Sequence, residues 1–286
     1  MRLDDQRESD QIDDRRGSGG GGILSGGRLG IGGIIVVLVI SYFTGINPST
    51  LMGLVGGGTS DNVTAQAPRP PPANDQTSRF VARVLGSTED IWTEEFRKFG
   101  RTYEKPTLTL FSGATQTACG QGQAAMGPFY CPNDRRVYID LAFFHQLETR
   151  FGAGGEFAEA YVIAHEVGHH VQNLLGISSK VSAAQQRANK NQGNALSVRL
   201  ELQADCLAGL WGRQADVLKH QLEPGEAEEA LRAASAIGDE TLQKQAQGYV
   251  VPESFTHGTS EQRVRWFNKG FQSGDMSQCD TFRKGA

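Results

Sequence analysis

The chain has 286 residues, 38% hydrophobic and 21% charged, a composition that folds and leaves room for one large domain or two ordinary ones. Its formal net charge of −4, with no prominent basic run, excludes a general electrostatic attraction to nucleic acid, so no nucleic-acid partner is expected. The 36 glycines are concentrated near the N-terminus, in "GSGGGG", "SGGRLGIGG" and "GLVGGGTS", which indicates a flexible leader rather than a glycine-rich fold.

Residues 1–28 are polar and read as a disordered leader. Next comes "LGIGGIIVVLVISYFTGI", Leu29 to Ile46, without a charge. Its length is near the lower limit for a helix that crosses a bilayer. The Ile and Val content is no obstacle, because lipid forces the backbone to satisfy its own hydrogen bonds. Arg15, Arg16 and Arg28 precede the run, and the next basic residue is Arg69. The positive-inside tendency then predicts a single-pass anchor in the plasma (inner) membrane, N-terminus cytoplasmic and the remainder extracytoplasmic, that is, periplasmic. A cleaved signal peptide is the rival reading, but "AQA" at 65–67 lies far downstream for a cleavage site. Residues 47–77 form a Gly/Pro-rich linker ending in "APRPPPANDQ", a semi-rigid spacer.

Residues 78–286 have ordinary composition and suffice for one domain with a good core. "SRFVARVLGSTEDIWTEEFRKFG" reads as a pair of helices, the second capped by Ser87 or Thr88. "PTLTLFSG" and "RRVYIDLAFF" read as strands, and "LAFFHQLETRFG" begins a helix that Gly152 stops. A long helix over "GGEFAEAYVIAHEVGHHVQNLLG" follows, then a polar, loosely helical stretch. "ALSVRLELQADCLAGLWGRQ", "PGEAEEALRAASAIGDETLQ" and "TSEQRVRWFNKGFQSG" give three more helices. The expected class is α+β, mainly α, with a small sheet ahead of the long helix.

Four cysteines permit three pairings; Cys119–Cys131 with Cys206–Cys279 is the most economical. An anchored, exported domain favours disulfides over free thiols. No C-x-x-C spacing supports a cysteine-built structural zinc site.

The long helix carries His165-Glu166-Val167-Gly168-His169. Positions i and i+4 share a helix face, so His165 and His169 present two imidazoles to one metal ion. Glu166 lies one step round, outside the ligand set but beside the metal, where a carboxylate serves as general base. His170 is about 100° away and reads as a packing or hydrogen-bonding residue. A third ligand is needed, and "RLELQADCLAGLW" supplies Glu201 and Asp205, again i and i+4, on a leucine-rich helix. Burying carboxylates is costly unless they are paired or metal-bound. Glu201 is therefore read as the ligand and Asp205 as acceptor for a histidine N–H; His220 and His257 are rival third ligands. Three protein ligands leave one position open, the mark of catalytic zinc. His257 is the candidate for stabilising charge on a carbonyl substrate, with Arg263 and Tyr249 as alternatives.

Together "TACGQG", "GPFYCP", "VYIDLAFF", "AYVIAHEVGHHVQ", "RLELQADCLAGLW", "AIGDE" and "FTHGTSEQRVRWF" resemble the bacterial putative neutral zinc metallopeptidase family. The chain also resembles, distantly, the zincin peptidases whose third ligand is a Glu in an E-x-x-x-D motif, which maps onto Glu201 and Asp205. The resemblance implies a zincin-like, membrane-tethered peptidase holding one zinc ion, with "RRVYIDL" as the edge strand beside the cleft. The expected function is an anchored zinc endopeptidase acting on peptide or protein substrates of the cell envelope, with Glu166 as general base. The alternative is a non-proteolytic zinc-containing module that binds an envelope protein; hydrolysis of a cell-wall peptide is a third reading.

Overall fold

The computed structural model describes residues 1–17 and 69–283. The expected anchor Leu29–Ile46 and most of the linker lie outside the described residues. Among the described residues no helix is long and apolar enough to cross a membrane.

Two strand sequences with buried apolar residues, "TLTLF" and "RVYID", organise the sheet. Strand β1 is Ile12–Asp14 and β2 is Thr107–Phe111. Helix α1, Gln76–Lys98, lies between them in the chain and starts inside the expected linker, where Asp75 accepts a hydrogen bond from the Ser78 N–H. Strands β3, Ala114–Thr117, and β4, Gly120–Gln123, pair as a separate antiparallel ribbon. β5, Phe129–Cys131, and β6, Arg136–Asp140, complete the main sheet in the order β1-β2-β6-β5. β1, β2 and β6 run parallel and β5 is antiparallel to β6. Leu108 and Leu110 of β2 stand in register with Val137 and Ile139 of β6, and all four are fully buried. Runs this apolar are expected where helices cover a parallel sheet.

Helix α2, Ala142–Thr149, leads into α3, Glu156–Leu174, the helix that carries the histidines. After α4, Ile177–Gln185, comes α5, Lys190–Lys219, opened by a capping box of Asn189 and Gln192. α6, Glu226–Ala236, and α7, Asp239–Gln247, precede α8, Ser260–Ser273, which Thr259 and Gln262 cap in the same way.

The α5–α8 contact is close because glycines face it from both sides. A Cβ on Gly209 would sit 2.1 Å from the Phe267 carbonyl oxygen, and one on Gly270 would sit 1.9 Å from that of Cys206. The Cys206–Cys279 disulfide closes the same region, and Cys119–Cys131 ties the β3–β4 turn to β5, so the economical pairing is the one present. Trp211 of α5 stacks on Phe157 of α3 at 5.8 Å, both fully buried, so α3 and α5 share a core.

Four local expectations are corrected. α1 is one helix rather than two: Ser87 and Thr88 sit mid-helix, with Ser87 donating to Gln221 and Thr88 to the Leu85 carbonyl. The "PGEAEEALRAASAIGDETLQ" helix is two, broken at Gly238, where a Cβ would clash with Ser260. β6, "RRVYIDL", is interior; β5 covers it and forms the edge on that side of the sheet.

The fourth correction concerns the leader, which over residues 1–17 is part of the fold. Leu3 and Ile12 are buried, and β1 pairs with β2. Its few apolar residues carry no readable period, and charge pairing across the chain holds it instead. Arg7 donates to Glu89 and Asp90, and Asp13 accepts from Arg15 and Arg136.

Candidate metal centre

Gly168 sets the geometry of the site. It lies between Glu166 and His169 on α3, against Ala204 of α5, where an added Cβ would stand 3.1 Å from the Ala204 carbonyl oxygen and 3.2 Å from its Cα. This close crossing puts the helix turn bearing His165 and His169 opposite the turn bearing Glu201. His165 Nε2 lies 3.1 Å from Glu201 Oε2, and His169 Nε2 lies 3.4 Å from Glu201 Oε1. One ligand atom from each residue falls within 4.8 Å of the others, a group able to hold a metal ion.

The far nitrogens of both rings are engaged. His165 Nδ1 is 2.9 Å from Asp205 Oδ1, and His169 Nδ1 is 2.8 Å from Gln172 Oε1. The Gln172 amide orientation is fixed, because its Nε2 donates to the Leu200 carbonyl and to Gln203. Each Nδ1 therefore carries a hydrogen, and each Nε2 is the nitrogen turned to Glu201, where it presents a lone pair once free of its proton. Both Nε2 atoms then converge on a carboxylate, an arrangement that calls for positive charge among them, supplied by ring protons or by a metal ion. Two imidazoles and a carboxylate suit zinc, so the residues present fit the ion that the motif implies.

The electrostatics show the same demand. Burial opposes protonation of His165, but Asp205 and Glu201 outweigh it and raise its pKa to about 10. Burial likewise raises Glu201, yet His169 and His165 hold its carboxyl well below the ordinary value. Glu166 is buried beside them and lines the cleft; burial lifts its pKa, against the pull of His165 and His169.

Asp205 has no exposed surface and is fully occupied. Its Oδ1 accepts from Tyr161 at 2.6 Å, from His165, and from Arg263 Nη2 at 2.9 Å. Its Oδ2 accepts from Arg263 Nε at 3.0 Å. Burial would raise this carboxyl, but Arg263 and His165 hold it at about 2. Arg263, an alternative oxyanion donor by sequence, is thus a buried clamp on Asp205.

His257 also lines the cleft, half exposed, with Nδ1 3.1 Å from Asp239 Oδ1. The break before α7 places Asp239 where its Oδ2 accepts the backbone N–H groups of Thr256, His257 and Gly258. The Asp239 hydrogen bond raises the His257 pKa against burial, with help from Glu201.

The other expected candidates lie elsewhere. His170 is buried on the far face: Nε2 donates to the Glu104 carbonyl at 2.6 Å and Nδ1 accepts from Tyr130. Burial lowers its pKa to about 4, so it is neutral. His220 caps α5, and Tyr249 is exposed outside the cleft lining.

Sequence reasoning did not single out Tyr161, Gln172 or Asp239 for the site. Tyr161 stands four residues before His165 and Gln172 three after His169, so the helical period that found the histidines also reaches them. Asp239 carries no such signal, because 18 residues separate it from His257.

The cleft beside the site holds about 750 Å³. Phe129 and Tyr130 of edge strand β5 line one wall, Phe143 and Val162 lie nearby, and Glu166 and His257 face in.

The curated relatives span the chain well. "Uncharacterized protein YpfJ" of Escherichia coli K12 is 50% identical over 293 residues, covering 99% of each chain. "Uncharacterized protein Rv2575" of Mycobacterium tuberculosis H37Rv is 44% identical over 215 residues, covering 72% of each. No solved structure matches. A family model described as "Putative neutral zinc metallopeptidase" matches residues 1–282, and the chain belongs to that family.

Proposed function

We propose that the protein is a zinc-dependent endopeptidase, with His165, His169 and Glu201 as the ligands. The supporting observation is the convergence of two Nε2 atoms and a buried carboxylate, with a further carboxylate, Glu166, buried beside them. A structural zinc staple has no need of that second carboxylate. Bound there, zinc supplies Lewis-acid activation of the scissile carbonyl and of water.

This chain's residues do the rest. Glu166, ionised, takes the proton from the attacking water and delivers it to the leaving amine. His257, kept protonated by Asp239, donates a hydrogen bond to the carbonyl oxygen as charge develops there. Asp205 holds the Nδ1 hydrogen of His165, fixing the ring with Nε2 toward the metal, and Arg263 keeps Asp205 ionised. An extended peptide lies along β5, whose free edge offers backbone groups, with apolar side chains received between Phe143 and Val162. The substrate is a peptide or protein of the cell envelope. The domain works outside the cytoplasm, held at the membrane through residues 29–46, and its two disulfides support an oxidising compartment.

Glu166→Gln tests the reading on the full-length protein. Zinc content stays at the wild-type level while cleavage of a peptide library falls by roughly 10²–10⁴. Equal cleavage by both proteins removes Glu166 as the base. If neither cleaves and both retain one envelope protein, the binding-module reading replaces the enzyme.

A further inference from the structure

The N-terminal segment, "MRLDDQRESDQIDDRRG", takes no part in the chemistry above, yet it is built deeply into the domain. β1 lies parallel to β2 with Ile12, Asp13 and Asp14 opposite Leu108, Thr109 and Leu110. Leu108 N–H donates to the Gln11 carbonyl and Arg15 N–H to that of Leu110, both at 2.8 Å.

The domain is shaped to receive this segment. On α1, a Cβ at Gly86 would stand 2.6 Å from the Arg7 carbonyl oxygen, so only glycine leaves the backbone room to lie there. Glu89 of α1 has a fully buried side chain, and two of its partners, Arg7 and Ser9, come from the segment. The third, Lys105, is 3.1 Å away. Asp13, almost wholly buried, is held in turn by Arg136 of β6. Withdrawing residues 1–17 would leave Glu89 with Lys105 alone of these partners and strip the outer edge of β2. The family match, moreover, begins at residue 1.

The two ends of the intervening chain are also pinned together. Asp14 N–H donates to the Arg69 carbonyl at 2.7 Å, and Arg69 N–H donates to Asp13 Oδ1 at 3.3 Å. The chain leaves the sheet at Gly17 and rejoins it at Arg69, beside its point of departure.

We infer that residues 1–17 lie on the same side of the membrane as the metal centre. A single pass by Leu29–Ile46 would separate β1 from β2 by a hydrocarbon layer about 30 Å thick, and strands cannot pair through it. The sequence-based topology, N-terminus inside and domain outside, gives way to one in which both are on one side. Its basis is strand pairing and buried charge, and it holds whether or not the site hydrolyses peptides.

Two single-cysteine variants of the full-length protein test the inference in spheroplasts, using a membrane-impermeant maleimide before and after lysis. The described residues hold no free cysteine that would give background. Asp5→Cys reports the exposed turn of the segment and Lys180→Cys an exposed position on α4. The same fraction labelled before lysis at both positions is the expected result. Labelling of one position only after lysis, with the other labelled before, overturns the inference. A third variant, Ser9→Cys, reads docking directly, because Ser9 is 7% exposed and hydrogen-bonded to Glu89. It resists the reagent in native lysate and reacts after denaturation; ready reaction in native lysate overturns the inference as well. None of these readouts depends on zinc or turnover, so failure here is separate from failure of the peptidase reading.

Discussion

Replacing Asp205 by Asn probes the links among charge, packing and metal binding at once. Asn keeps the shape but loses the charge, and its amide nitrogen must oppose either Arg263 or the His165 N–H, all of them donors. Arg263 is 3% exposed, so its guanidinium is left buried without its counter-ion. Breaking a buried pair in this way costs about 3–5 kcal/mol. A second route gives a smaller figure: the Asp205 carboxyl is held at about 2 against an ordinary 3.8, and at ~1.4 kcal/mol per pH unit this favours the ionised native state by about 2–3 kcal/mol. Because the native pKa is depressed, that contribution is complete above the ordinary value and is lost as pH falls through about 2. Zinc affinity falls separately, by about 10- to 100-fold, as the support for His165 is weakened. Denaturant unfolding of the zinc-free protein near neutral pH measures the first effect, and chelator competition measures the second. Arg263→Met completes a double-mutant cycle: Asp205→Asn with Arg263→Met should regain much of the stability but not the zinc affinity. A coupling energy within about 0.5 kcal/mol of zero would refute the clamp, because that is how independent sites behave.

Gly168→Leu forces α3 from Ala204 and so moves the histidines from Glu201; zinc affinity drops more than about tenfold with 1–3 kcal/mol of overpacking strain, and chelator competition showing unchanged affinity contradicts the role of this contact. Asp239→Asn removes the main support for the raised His257 pKa. Activity that needs protonated His257 is present at lower pH and disappears as pH rises through that pKa, so the variant's alkaline limb moves to lower pH; a limb that stays in place in kcat/KM profiles excludes His257 as the donor. Opening Cys206–Cys279, which spans 73 residues, costs about 4 kcal/mol on a loop-entropy reckoning, against about 3 for the 12-residue span of Cys119–Cys131. Denaturant midpoints of the two double-alanine variants check that order.

The sequence alone determined the parts of the site that helix geometry enforces locally. His165, Glu166 and His169 share one helix, and Glu201 and Asp205 share another, because a spacing of four returns each pair to one face. The cysteine pairing was legible by economy of span, and β2 by its apolar run between Pro106 and Gly113. Tertiary structure alone decided which groups meet across those elements. Arg263 is equally compatible by sequence with an oxyanion donor and with a clamp; the packing of α8 against α5 turns it to Asp205. β6 reads as an edge strand until the three-residue β5 covers it, and three residues are too few to show a period. Residues 1–17 looked disordered because charge pairing, not an apolar stripe, holds them, and the partners Glu89, Asp90 and Arg136 are more than 80 residues away. Periodicity records what a segment does with its own neighbours; buried ion pairs and glycine-lined crossings are fixed by distant ones.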